Sequence, residues 1–99
     1  MLNKEKIIEI AESFLKEIEK ESQIELSLVY EATLSKKYGA IFFYTKKKYY
    51  ETKDEKYNTL AGNAPFLVEK ENGTIVEFGT ALSINNYIEE YEAGRWPIK

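Results

Sequence analysis

The sequence predicts an α+β fold: an N-terminal helix packed on a four-stranded antiparallel sheet and followed by a short C-terminal helix. Three observations carry this expectation. Apolar residues over 3–20 recur at helical spacing. Residues 24–45 and 66–78 instead form strand-length apolar or alternating runs, the second pair split by Asn72-Gly73. Ser83 then opens a second helical pattern that stops at Gly94. At 99 residues the chain has room for one domain, spanning residues 1–99. Such a domain buries about two-thirds of its unfolded surface, enough for one modest core.

The first helix places Ile7, Ile8, Ala11, Phe14, Leu15 and Ile18 on one face, with Glu and Lys over most of the other and Asn3 as its cap. Ile24, Leu26, Leu28 and Tyr30 alternate with Glu25, Ser27, Val29 and Glu31, which predicts a half-buried strand over Ile24 to Thr33. Leu34 to Lys37 is expected to turn the chain into a second strand from Tyr38 to Thr45. That strand is apolar on both faces, Tyr38/Ala40/Phe42/Tyr44 and Gly39/Ile41/Phe43, so its second face needs a cover or a partner. Residues 46–59 are the least regular. Here Tyr49-Tyr50-Glu51-Thr52 is expected to continue the strand past a bulge, with Lys53 to Lys56 as a solvated tip. Leu60 to Pro65 reads as a tight lead-in loop, from Gly62, Asn63 and Pro65. Phe66–Glu69 and Ile75–Phe78 then form a hairpin on the Asn-Gly turn. Its expected strongly apolar face, under the first helix, combines Phe66 and Val68 with Val76 and Phe78, leaving Leu67, Glu69, Ile75 and Glu77 opposite. The last helix must bury Ile84, Tyr87, Ile88 and Tyr91, either beside the first helix or capping the sheet.

Composition narrows the chemistry. There is no cysteine and no histidine, which removes thiolate nucleophiles, zinc–sulfur sites and the commonest general base and metal ligand. The five serines have no imidazole to activate them, and neither Gly62 nor Gly79 begins a phosphate loop. Glu89 and Glu92 share a helix side but lack a third ligand, so a solvated face is the better reading. Glu69 and Glu77, if brought close across the hairpin, would resemble a carboxylate pair, though nothing implies a substrate cleft beside them. No catalytic residue, cofactor or metal is therefore assigned. The charged N-terminus and the lack of an apolar run approaching ~20 residues imply neither leader nor membrane span, hence a cytoplasmic chain. The net charge is −3, with residues 46–57 carrying five lysines against three acids and residues 58–99 three basic residues against six acidic ones. Lysines interleaved with Tyr49, Tyr50 and Tyr57 could suit nucleic acid, but such binders carry a broader positive field, and edge-strand lysines that discourage pairing explain the pattern better. What composition favours is protein binding. Eight tyrosines, five phenylalanines and one tryptophan exceed what a small core needs, and Tyr49, Tyr50, Tyr57 and Trp96 lie in segments free to act as anchors.

The run Ala61-Gly62-Asn63-Ala64-Pro65, an apolar strand, Asn72-Gly73, a second strand, Gly79-Thr80 and a helix Tyr87-Ile88-Glu89-Glu90-Tyr91-Glu92 resembles the immunity protein 35 (YrhB-like) family of bacterial polymorphic toxin systems. The likeness extends over nearly the whole chain. Many members have Trp after the glycine that corresponds to Gly39, where this chain has Ala40-Ile41. The resemblance implies stoichiometric binding of a cognate protein toxin inside the producing cell. The acidic C-terminal face, Glu89, Glu90 and Glu92 with Glu69 and Glu77, is then expected to meet a basic toxin surface, with Lys46 to Tyr57 as the rival patch. Two other readings remain: a chaperone-like interaction module that uses the second apolar sheet face, Ile41, Phe43, Leu67 and Ile75, or a homodimer that pairs through that face or through the edge strand.

Overall fold

The computed structural model describes residues 1–54 and 64–97. In chain order the elements are α1 (Lys4–Ser22), β1 (Leu26–Leu28), a 3-10 turn (Tyr30–Ala32), β2 (Leu34–Lys36), β3 (Gly39–Phe42), β4 (Tyr44–Lys46), α2 (Lys47–Thr52), β5 (Phe66–Glu69), β6 (Ile75–Glu77) and α3 (Ile84–Glu92). The predicted class holds: helix α1, antiparallel sheet, C-terminal helix. The four-stranded sheet runs β2-β3-β5-β6, and a two-stranded extension pairs β1 with β4.

Local chemistry sets the boundaries of α1. Asn3 Oδ1 accepts from the Lys6 amide at 2.8 Å, and Gln23 closes the helix in the left-handed region with its N–H on the Glu19 carbonyl at 2.7 Å. Ile7, Ala11 and Leu15 are buried against Leu26, Leu28, Phe42, Phe66 and Val68. The Phe14 ring meets Phe66 edge-on, 4.7 Å between centroids.

The first hairpin departs from the expected pair of continuous strands. Leu28 lies opposite Tyr44 but Leu34 opposite Ile41, so the intervening residues form the 3-10 turn and bulge from the ladder. The chain reverses at Lys37-Tyr38, not over Leu34 to Lys37, because Leu34–Lys36 is itself paired as β2. Residues 47–52 are helical, not a strand continuation. The Tyr50 hydroxyl donates to Glu31 at 2.8 Å, a contact across the fold that suits the helix and outweighs the strand preference of Tyr and Thr. Of the expected tip from Lys53 to Lys56, Lys53 and Asp54 are exposed; Glu55 and Lys56, and the Leu60 to Asn63 part of the lead-in loop, lie outside the described residues.

The second hairpin turns as expected. Gly73 has φ +80°, Asn72 Oδ1 accepts from both the amide and the hydroxyl of Thr74, and Gly73 packs beside Ile10 of α1. Its faces combine differently, however. Val68 pairs with Ile75 and Leu67 with Val76, so Ile75 joins the α1 side while Val76 and Phe78 join Ile41 and Leu67 on the other. The second face is thus strongly apolar, and α3 covers it. Ser83 Oγ caps α3 by accepting from the Asn86 amide, and Tyr87 and Ile88 are buried on Ile41, Leu67, Val76 and Phe78. A helix of nine residues is too short to persist alone in water, so this packing is what holds α3. The sheet is sandwiched between α1 and α3.

Candidate functional site

The covering helix reorganises the expected binding surface. Ile41 and Leu67 are fully buried, which removes the uncovered apolar face that a chaperone-like module or a homodimer would have used; Phe43 is half-buried and Ile75 faces α1. Glu69 and Glu77 do not form a carboxylate pair. Two-residue alternation along paired strands puts Glu69 on the α3 side with Leu67 and Val76, and Glu77 on the α1 side with Phe66 and Ile75.

The acids and tyrosines largely tie the fold together. Tyr91 of α3 donates its hydroxyl to Glu69 at the end of β5, and Tyr38 donates to Glu92 at 2.7 Å. The two rings lie 4.8 Å apart, so β5, α3 and the β2–β3 turn meet in one aromatic–carboxylate cluster. Burial, then Glu69, pushes the Tyr91 hydroxyl up to about 12; burial, then Glu92, raises that of Tyr38. A matching cluster lies on the α1 side. Tyr30 donates to Glu12 at 2.6 Å and is pushed up to about 12, chiefly by that bond and then by burial. Tyr50 donates to Glu31, whose carboxyl is held below its usual range, first by its own backbone amide and then by Tyr50.

The remaining candidates separate. Glu90 pairs with Arg95, while Glu89 stays exposed on the outer side of α3 with Asn85 and Asn86. Tyr49 and Tyr50 are half-buried on α2, with the Lys53 ammonium 4.4 Å from the Tyr50 ring centroid. Tyr57 lies outside the described residues. Trp96 folds back: its indole N–H donates to the Glu77 carbonyl at 3.1 Å and its ring packs edge-on against Tyr87, 5.0 Å between centroids. It therefore closes the outer edge of β6.

Sequence reasoning missed a groove of about 560 Å³ between the start of α1 and the β2–β3 strands, lined by Lys4, Lys36 and Lys70. These lysines are far apart in the chain, and only strand order brings them together. Among the described residues, no group of three His, Cys, Asp or Glu side chains could hold a metal ion, and no helix is long and apolar enough to cross a membrane.

An α+β scaffold with its sheet held between two helices and four of its tyrosines bonded to carboxylates is the class this geometry defines. The family model for immunity protein 35 matches residues 5–94, and the chain belongs to that family. It is also similar to an uncharacterized protein, YrhB of Escherichia coli (strain K12), with 41% identity over 54 residues, 54% of this chain and 56% of that protein. The match thus spans about half of each chain. No solved structure matches the chain.

Proposed function

We propose that this chain is an immunity protein that neutralises the toxin of its own polymorphic toxin system by stoichiometric protein–protein contact in the cytoplasm of the producing cell. Membership of the immunity protein 35 family over residues 5–94 is the observation that carries this reading. An inhibitor of this kind works by occluding a surface. It needs a rigid scaffold and complementary charge, and no bond-making chemistry of its own. The scaffold is supplied by a sheet fixed on both faces, so the contact surface is pre-organised and little ordering cost attends binding.

We assign the toxin contact to the outer side of α3. Glu89 projects there, flanked by Glu90, which pairs with Arg95, and by Glu92, which accepts from Tyr38, and the residues from 58 to 99 carry six acids against three bases, a field that would steer a basic toxin surface. The test is stopped-flow association with the purified cognate toxin. Glu89→Lys, combined with Glu92→Gln, should slow association by about tenfold at low salt, with the difference shrinking as salt rises. An association rate equal to that of the unaltered chain would remove the α3 assignment while leaving the neutralising function standing.

A further inference from the structure

The two edges of the four-stranded sheet are finished differently. Trp96 donates to the β6 carbonyl of Glu77 and covers that edge, whereas among the described residues β2 pairs only with β3. Half the backbone groups of an edge strand point away from its neighbour and are open to another strand. Beside β2, on the α1 side of the sheet, lies the groove already described. Its floor is apolar, made by Leu2, Ile7, Ile8, Ala40 and Phe42. Backbone bonds fix its shape: the Lys70 amide donates to the Tyr38 carbonyl at 2.9 Å, and the Leu2 amide to the Lys70 carbonyl at 2.7 Å.

Its charge is the opposite of the chain's. A protein of net charge −3 presents Lys4 and Lys70 to this groove and no carboxylate, while Lys36 borders it from β2 with its side chain on the face of Leu34. Among the described residues, none of Lys4, Lys36 and Lys70 forms an ion pair, while Lys6 and Lys47 are matched with Glu9 and Glu25. Two unmatched ammonium groups around an apolar floor, next to a strand edge that no other described strand pairs, complement one kind of occupant. We propose that the groove docks an extended acidic segment of a protein partner, which adds to β2 as a fifth strand, sets apolar side chains on the floor and brings its carboxylates to Lys4 and Lys70. This contact is separate from the α3 assignment, which lies on the other face of the sheet.

The experiment is an amide chemical-shift titration of the isotope-labelled full chain with a capped hexapeptide of alternating leucine and glutamate, beside its glutamine analogue. The expected result is dose-dependent shifts at Leu2, Lys4, Ser35, Lys36 and Ala40. The glutamine peptide should bind at least about tenfold more weakly, and Lys4→Glu should weaken the glutamate peptide by a similar factor. A carboxylate in the first turn of a helix is favourable, so Lys4→Glu preserves α1; Lys70→Gln is the second variant if its spectrum shows otherwise. Equal binding of the two peptides, shifts confined to α2 or α3, or no shifts at millimolar peptide would each overturn the proposal. Decanoate filling the groove while the glutamate peptide leaves it unchanged would overturn it in favour of a small anionic amphiphile. None of these outcomes bears on whether the chain neutralises a toxin, which the α3 variants read independently.

Discussion

Gly79 and Tyr87 form one unit, and a double-mutant cycle measures it. The Tyr87 side chain is 3% exposed, and its hydroxyl accepts from the amides of Ala81 and Leu82 at 3.2 and 3.3 Å. Tyr87→Phe removes that acceptor. Because Ala81 and Leu82 are exposed, water re-satisfies part of the loss, and the cost should be about 1 kcal/mol. A Cβ at Gly79 would stand 2.4 Å from the same hydroxyl and 3.2 Å from the ring carbon that bears it. The ring cannot swing aside, being stacked on Phe78 at 5.8 Å and capped by Trp96 at 5.0 Å. Gly79→Ala should therefore cost about 1–3 kcal/mol as overpacking, less the ~0.4–1 kcal/mol that alanine returns by restricting the unfolded chain. With the hydroxyl gone, the nearest contact relaxes to the tight but tolerable 3.2 Å. The double variant should then be more stable than the sum of the singles predicts by about 1 kcal/mol, near 4–8 °C in melting temperature for a chain of this length. Urea unfolding of the four proteins is the assay. Additivity within ~0.5 kcal/mol would refute the claim that the hydroxyl is what excludes a side chain at Gly79.

Two further outcomes follow from the same packing. Leu67 is fully buried beneath α3, so Leu67→Ala should cost about 2–5 kcal/mol in urea unfolding, whereas Leu82→Ala, at a position 48% exposed, should stay within ~0.5 kcal/mol. Stability should also fall in alkali. Tyr30 and Tyr91 are pushed up to about 12 from an ordinary 10.0, so above pH ~10 the unfolded chain loses protons that the folded chain keeps. The stabilisation is complete below pH ~10 and is lost as pH rises toward ~12; Tyr91→Phe should flatten that decline, and an unchanged slope would show that folding does not raise the proton affinity of its hydroxyl.

How much of this was legible in the sequence depended on whether the determining signal was local. Asn3, Ser83 and Gly94 mark helix ends by hydrogen bonds made within a turn, and α1 and α3 lie where their apolar period puts them. Asn72-Gly73 turns the hairpin for the same reason. Alternation shows which residues share a face within one strand, but not how two strands combine. That depends on register, and the pairing of Leu67 with Val76 moved Val76 and Phe78 to the face that α3 covers. The segment at Tyr49-Tyr50 was misread because its aromatics favour strands, while the bond that fixes it reaches back to Glu31. The candidate site was the least legible part. Tyr38 and Glu92 are 54 residues apart, and nothing in the sequence says that this tyrosine and this carboxylate bond to each other instead of to a partner. The groove lysines give no sequence signal at all, since Lys4, Lys36 and Lys70 belong to three separate elements or turns.

The central claim is neutralisation by stoichiometric contact, and the most direct measurement is light scattering on a size-exclusion column of the chain mixed with the purified toxin of its own system, beside the toxin's activity on the same fractions. The account predicts a single species with one copy of each chain and toxin activity that falls linearly to zero at equivalence. Toxin that elutes alone at full activity in the presence of excess chain, or activity lost at a small fraction of equivalence, would contradict it.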